Sequence, residues 1–313
     1  MGRVPPETVT FQLPVAGPFA ADDMLSFLST HLVTGVEYVD GRRYFRSLRL
    51  AAGTGTVCLT LPTPGEGREI PVTIRVDDPA DLPRAINHCR TLLDLDADPA
   101  AIDAVLSTDP TLAPAVAAMP GLRVPGAVDG PEILVRAMLG QQVSVAGAQT
   151  AATRLVLAAD DRLPSPDGPL THLFPTPAAI AELGPGLIAG PRRRALAICG
   201  AAAAMAEGSL TVTADRTTDA LTADLVSRPG IGPWTAGYVA MRLLGDRDVL
   251  LTGDLVLRAG AALLGLPATP TALAARSANW RPYRAYAGMH LWRAALGERA
   301  RSKQDRVMTG GRS

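Results

Sequence analysis

Lysine is almost missing from this chain: of its 30 basic residues, all but Lys303 are arginine. A GC-rich coding bias accounts for the swap, yet it limits the chemistry. An amine nucleophile that works through a Schiff base has only Lys303 to draw on. Cysteine is scarce too. Cys58, Cys89 and Cys199 stand far apart without a CxxC spacing, which excludes a disulfide framework and a zinc or iron–sulfur site. No uncharged apolar run reaches the roughly eighteen residues of a membrane span, so no membrane partner is expected. The start, MGRVPPETVTFQLP, lacks the apolar stretch of a secretory signal, and the cytoplasm, close to the nucleoid, is the expected location. Aromatic residues make up only 4% of the chain, so where they gather is informative.

What is there describes a folded protein. The 313 residues are 47% hydrophobic and 19% charged, enough for two or three domains with their own cores. The formal net charge of zero hides an asymmetry. Residues 190–313 hold 17 Arg plus Lys against 9 Asp plus Glu, a net of +8, while the remainder carries 13 against 21, a net of −8. A basic half of this kind hints at a polyanionic partner.

The first hundred residues alternate like strands at Thr8–Leu13, Gly35–Val39, Tyr44–Leu50, Thr56–Leu61 and Ile70–Val76. Helical spacing covers Ala21–Thr34, and Asp78-Pro79 opens a second helix to about Leu95. Beyond Asp98 helices dominate. They are expected from Pro99, after Asp109-Pro110, from Gly130 and through Leu157, after Phe174-Pro175-Thr176-Pro177, and over Arg192–Glu207, Leu221–Val226 and Pro233–Leu244. Leu255–Leu264, Thr271–Asn279 and Tyr283–Leu296 follow, with Asp160–Leu170 expected as a loop. The fold class is α+β, mainly α.

One stretch concentrates the chemistry. Pro229-Gly230-Ile231-Gly232 turns between two helical patterns, with Trp234 and Thr235 just beyond. Glycines there allow close backbone approach, and the following helix turns its amides and positive dipole end outward, a ready phosphate site. An ordinary helix–helix corner is the other reading. Twenty residues past Trp234 stands Asp254, a lone acid among aliphatic residues, at once a helix N-cap and a carboxylate suited to supporting a cationic sugar. Trp234 and Tyr238 share a helix face, and Trp280, Tyr283, Tyr286 and Trp292 follow in the same region. Core packing is the commoner fate of such rings; a stacking pocket for a flipped base is the alternative. Arg192-Arg193-Arg194 is either a solvated face or a backbone clamp.

Together, Leu-x3-Pro-Gly-Ile-Gly-x-Trp-Thr-Ala and the aspartate beyond it resemble the helix-hairpin-helix DNA glycosylase superfamily, within it the AlkA type that acts on 3-methyladenine. Met24–Leu28, Leu122–Gly126, Arg136–Gln141, Phe174–Pro177, Trp280–Tyr286 and His290–Trp292 match as well, so the likeness spans roughly residues 8 to 300.

The resemblance implies a small antiparallel-sheet domain (1–97), a helical domain holding the hairpin (126–247), and a second helical domain (98–125 with 248–300), followed by a disordered tail at 301–313. It implies a monofunctional glycosylase of base excision repair that acts, as a monomer, on double-stranded DNA containing alkylated purines. The catalytic carboxylate becomes Asp254, and the base pocket Trp234, Tyr238, Trp292, Phe27 and Leu255. DNA contacts fall to Gly230, Ile231, Gly232, Thr235, Gln142, Arg192, Arg193 and Arg194. No cofactor is required, though the resemblance implies a metal ion on the hairpin backbone near Pro229, Gly230 and Gly232. In lyase-type relatives a lysine takes the place of Trp234. Two positions depart from the AlkA type: Gln142 stands where it has a leucine wedge, and Leu255 where it has a pocket tyrosine. A glycosylase for oxidised or deaminated bases, and a non-catalytic binder of damaged DNA, are the alternatives.

Overall fold

The computed structural model describes residues 6–63 and 68–310, so the remaining residues, including part of the turn expected at Pro62–Gly67, lie outside the described residues. The chain opens with β1 (Glu7–Pro14), α1 (Ala21–Thr30), β2 (Glu37–Asp40), β3 (Arg43–Arg49), β4 (Thr54–Thr60) and β5 (Glu69–Val76). The strands form one antiparallel sheet in the order β1-β5-β4-β3-β2. Strict alternation along β5 puts Ile70, Val72, Ile74 and Val76 on the buried face. Helices α1 and α2 (Leu82–Leu92) supply Met24, Leu28, Cys89 and Leu92 to the same core. Helix α1 stops at Thr30, short of the expected Thr34, because the Thr30 hydroxyl turns back to the Ser26 and Phe27 carbonyls, as does the His31 ring to Phe27.

Helices then take over. They are α3 (Pro99–Leu106), α4 (Ala113–Ala118), α5 (Gly130–Leu139) and α6 (Val145–Ala159). The segment expected as a loop at Asp160–Leu170 instead pairs β6 (Arg162–Asp167) with β7 (Leu170–His172), whose Leu163, Leu170 and Leu173 seal against Tyr38 and Phe45 of the large sheet. After it come α7 (Pro177–Leu183), α8 (Arg192–Ala206), α9 (Thr218–Val226) and α10 (Pro233–Leu243). The chain closes with α11 (Leu255–Leu263), α12 (Pro270–Arg276) and α13 (Arg284–Gly310). The tail expected to be disordered continues α13 to Gly310. No glycine or proline interrupts residues 298–309, and Glu, Arg, Ala, Lys, Gln and Met there favour a helix.

Side-chain caps set most helix starts: Asp98, Asp129, Ser144, Thr176, Thr217, Asp254 and Thr269 each accept a backbone N–H of the first turn. Helices α8 and α10 begin without one, at Pro191 and Gly232. Three large buried apolar clusters result, beside the small one under β6 and β7. One lies on the sheet, one among α5–α10 with Val33 and Val36, and one joins α3, α4 and residues 122–124 to α11–α13.

Sheet and helices are fastened by a buried cluster of four charges. Glu37 accepts from Tyr44 Oη (2.6 Å), Arg136 Nη1 (3.1 Å) and Arg46 Nη1 (3.4 Å), and Glu132 accepts from Arg136 (2.7 Å) and Arg46 (2.8 Å). Burial alone would raise the Glu37 carboxyl, but Arg136 and Arg46 outweigh it and hold the group below its usual range.

Three histidines respond to acid differently. Burial pushes His31, His88 and His290 down to about 4, so the folded protein keeps them neutral while an unfolded chain protonates them near 6.5. Folding stability contributed by each is therefore complete above pH 6.5 and drains away as pH falls toward 4. The melting temperature is expected to drop across that window, and His290→Gln to flatten the drop; a melting temperature flat from pH 7 to 4.5 would contradict this.

Candidate functional site

The site is built where α10 and α11 approach α13. Gly260 of α11 lies so close to α13 that a Cβ there would sit 1.8 Å from the Leu291 carbonyl oxygen. That crossing, possible only with a bare backbone, lets Trp292 of α13 reach the first turn of α11. Its indole Nε1 donates to Asp254 Oδ1 (3.2 Å), while Trp234 Nε1 donates to Oδ2 (2.9 Å). The Leu257 N–H, capped by Oδ1 at 2.8 Å, adds a third donor. A carboxylate has about four lone-pair positions. Three are taken and the half-buried group keeps one side open. Asp254 is thus both helix cap and clamped acid, as the sequence allowed.

Ring geometry sorts the expected pocket residues. Trp234 and Tyr238 stack with centroids 5.2 Å apart and planes at 7°. Phe27 stacks on His31 at 4.2 Å and 19°, and the Arg242 guanidinium carbon lies 4.8 Å from the Phe27 centroid and 5.4 Å from that of Tyr238. Phe27 and Tyr238 thus have a cation over their rings and Trp234 shares one face with Tyr238, while Trp292 takes part in no ring stack or cation–π pair among the described residues. Leu255, next to Asp254, is 75% exposed on the first turn of α11. Trp280 and Tyr286, gathered with the others in sequence, are core, Trp280 donating to Asp109 (2.7 Å) and Tyr286 to Asp94 (2.8 Å).

The turn between α9 and α10 has the form expected of the hairpin. Gly230 is left-handed (φ +80°), and a Cβ on it would lie 2.5 Å from Ala197 Cβ of α8. Gly232, the start of α10, offers no capping side chain, so the amides of Trp234 and Thr235 at the positive end of the helix have no side-chain cap. Ile231 is buried as the anchor of the turn. Gln141 Nε2 pins the turn by donating to the Gly230 carbonyl (2.9 Å) and Thr235 Oγ1 (3.0 Å).

Gln142 projects next to it from the α5–α6 turn, exposed, with a left-handed backbone (φ +57°) and exposed Val143 and Val145 as neighbours. Arg192 and Arg193 are exposed and have no ion-pair partner among the described residues. Arg194 turns back instead: its Nη1 donates to the Gln141 carbonyl (2.6 Å), which braces the Gln142 turn.

Of the carbonyls named for an ion on the hairpin backbone, Gly230 O accepts from Gln141 and Gly232 O from the Ala236 N–H, each keeping a second lone pair. Among the described residues there is no group of three or more His, Cys, Asp or Glu that could hold a metal.

Sequence reading missed Arg242, Gln141 and His31. Arg242 is 7% exposed and donates to the carbonyls of Pro125 and Gly126 and to Tyr238 Oη, with no carboxylate in ion-pair range among the described residues. A lone arginine in the apolar run Val239–Leu244 was the available signal.

A family model described as the AlkA N-terminal domain matches residues 10–129. The chain is 45% identical over 285 residues to a probable bifunctional transcriptional activator/DNA repair enzyme AlkA of Mycobacterium tuberculosis, covering 91% of this chain and 57% of that protein. It thus spans little more than half of that relative's length. To DNA-3-methyladenine glycosylase 2 of Escherichia coli it is 33% identical over 282 residues, 88% of this chain and 94% of that one. In three dimensions it is similar to a 3-methyladenine DNA-glycosylase from Archaeoglobus fulgidus, with a TM-score of 0.78 at 19% identity over 91% of this chain and 98% of that one, a likeness of fold. Among the described residues no helix is long and apolar enough to cross a membrane.

Gly230→Ala should lower stability by about 1–3 kcal/mol, because it forces a side chain into a left-handed residue against Ala197. Urea denaturation checks this; an unaltered midpoint would show that the turn relaxes freely.

Proposed function

Since the chain belongs to the AlkA family of DNA-3-methyladenine glycosylases, we propose that it hydrolyses the N-glycosidic bond of alkylated purines in double-stranded DNA, as a monofunctional enzyme of base excision repair. The observation that carries this reading is the clamp on Asp254: two indole N–H groups and one backbone N–H fix the carboxylate beside the rings of Trp234 and Trp292, and 20 residues beyond Trp234 at the start of the uncapped helix α10.

In the proposed reaction the amides at the start of α10, with Arg192 and Arg193, hold the phosphates beside the lesion. Gln142 enters the stack as the nucleotide rotates out, at a cost of a few kcal/mol that is smaller for a damaged pair. The flipped base stacks on Trp234 and Trp292. Alkylation leaves the purine positively charged, so it departs with the bonding electron pair as a neutral base and needs no general acid. Asp254 stabilises the positive charge that develops on the sugar, and its open side orients a water. Water oxygen bonds to C1′, its proton leaves to solvent, and an abasic site remains. One carboxylate thus serves where most glycosidases use two. The absence of a lysine at Trp234 supports hydrolysis without strand cleavage, and the scheme uses no cofactor. The three apolar clusters support the division into 1–97, 126–247, and 98–125 with 248–300. A monomer acting at chromosomal DNA completes the proposal.

The decisive experiment is base release from methylated duplex DNA. Wild type should free 3-methyladenine, and Asp254→Asn should release it at least about 100-fold more slowly while still binding DNA, a loss in the range of one transition-state electrostatic contact. Equal rates would remove Asp254 from the chemistry. Separately, replacing both Arg192 and Arg193 by alanine should weaken binding to every duplex alike and reduce the slope of log affinity against log salt by about two; an unmoved slope would take them off the backbone.

A further inference from the structure

A second cavity, of about 280 Å³, lies at the end of α10 opposite the hairpin. Its walls come from the segment 90–96, from Val124 and Gly126, from residues 241–247 and from Tyr286 of α13. Neither Asp254 nor the two tryptophans beside it line this space.

The backbone there is unusual in what it leaves unbonded. Helices α10 and α11 both close on a leucine followed by a left-handed glycine, Leu244-Gly245 (φ +64°) and Leu264-Gly265 (φ +77°). After α11 the next two amides bond back into the last turn. Gly265 N–H donates to the Ala262 carbonyl (3.0 Å) and Leu266 N–H to that of Ala261 (2.8 Å), a common helix ending. After α10 the carbonyl matching Ala262 is that of Arg242, and the Ala127 N–H has taken it (2.7 Å). The N–H groups of Gly245 and Asp246 therefore donate to no protein acceptor among the described residues. Successive amides in a right-handed then left-handed turn form a concavity suited to an anion.

Side-chain charges agree. Arg247, exposed, donates Nη2 to the Asp96 carbonyl (3.0 Å) and has no carboxylate in ion-pair range among the described residues. Arg242, buried in the wall, has none either, and three of its five N–H groups are spent on Pro125, Gly126 and Tyr238. The acids, by contrast, are occupied. Asp94 accepts from Tyr286 Oη (2.8 Å) and the Val124 N–H (3.2 Å), and Asp246 from Thr218 Oγ1 (2.6 Å) and the Asp248 N–H (2.9 Å). Asp96 pairs with Arg90. Burial also pushes the Asp94 carboxyl up, which weakens its opposition to an anion. The negative end of α10 opposes one too, though solvent screens it at exposed Gly245. What the cavity has left to offer is positive charge and N–H groups.

We propose that this cavity binds a phosphate group carried on a small organic body, of the class of a nucleoside 5′-monophosphate, with inorganic phosphate as the simplest form of the same chemistry. Arg247 and the amides of Gly245 and Asp246 take the phosphate oxygens. Volume favours the larger ligand, because a phosphate ion displaces only about two or three waters of roughly 30 Å³ each. Met241, Leu243 and Val124 bound the remaining space with apolar surface for a sugar or base. Met241 and Leu243 belong to different apolar clusters, so an occupant bridges them and stabilises the fold by mass action. The site goes beyond the glycosylase reading and does not depend on it.

Isothermal titration of the full chain with 5′-AMP, adenosine and inorganic phosphate tests this. AMP should bind at least about tenfold more tightly than adenosine, the worth of a charge-assisted hydrogen bond, and should raise the melting temperature. Arg247→Gln should weaken AMP by about tenfold or more and leave the unliganded melting temperature as it was. A nucleotide seated instead on the tryptophans beside Asp254 would not respond to that substitution. Inorganic phosphate binding as tightly as AMP, with the same loss in Arg247→Gln, upholds the anion site and assigns it to the free ion. The proposal is overturned if neither phosphate binds at millimolar concentration, if adenosine equals AMP, or if Arg247→Gln leaves AMP affinity unaltered. Displacement of AMP by undamaged duplex DNA overturns it as well, since the cavity would then belong to the DNA track. None of these outcomes changes base release, so failure here is distinguishable from failure of the glycosylase reading.

Discussion

Four charges buried between the sheet and α5 hold the molecule's parts in register. Glu37 and Arg46 come from β2 and β3, Glu132 and Arg136 from α5, and all four are shut away from water or nearly so. Desolvating them is costly, and only complete mutual pairing offsets it. Geometry is therefore demanding: a sheet displaced by an ångström or two would strand a charge. Arg136 adds a bond to the His31 carbonyl, at the end of the helix that carries Phe27. The end of α5 beyond Arg136 leads directly to Gln141 and Gln142. Phe27 and Gln142 are thus hung from the same cluster, although they are more than a hundred residues apart in sequence.

The site itself relies on a different economy. Asp254, Trp234 and Trp292 come from three helices, and a single hydrogen-bond pattern makes each useful to the others. The indoles hold the carboxylate still, and the carboxylate orients the indoles so that their faces line the space beside it. Gly260 is the hidden requirement, since any side chain there would push α13 away and withdraw Trp292. Neighbouring contacts tie in the hairpin: Gln141 bridges Gly230 and Thr235, and Arg194 braces Gln141. The hairpin turn, the Gln142 turn and Asp254 are consequently one connected body. A shift at the hairpin has a short, packed route to the carboxylate.

Local pattern made much of this legible. Alternation in β5, Asp and Ser/Thr caps, and the Pro-Gly-Ile-Gly turn are short-range signals, and the elements built on them formed close to where expected. The hairpin glycines and Asp254 were legible because their roles are backbone conformation and helix capping. Residues whose roles depend on distant partners were not. Arg194 in a run of three arginines looks like its exposed neighbours, and nothing local says that it turns inward to a carbonyl 53 residues away. Leu255, an aliphatic residue next to Asp254, is exposed, which no local signal gives. Trp280 and Tyr286 belong to the same aromatic group as Trp292, yet Asp109 and Asp94 claim them for the core.

The sequence by itself determined the class of fold, the hairpin and the acid, because each is written in contiguous residues through turn geometry, capping and periodicity. It also set the charge asymmetry and the want of lysine, which bound the chemistry before any fold is known. Only the tertiary structure decided which aromatic rings are free to stack, which arginines face outward, and that Arg242 is locked against Tyr238. Those outcomes depend on which groups can satisfy their hydrogen bonds once water is excluded, and burial is a property of the assembled whole.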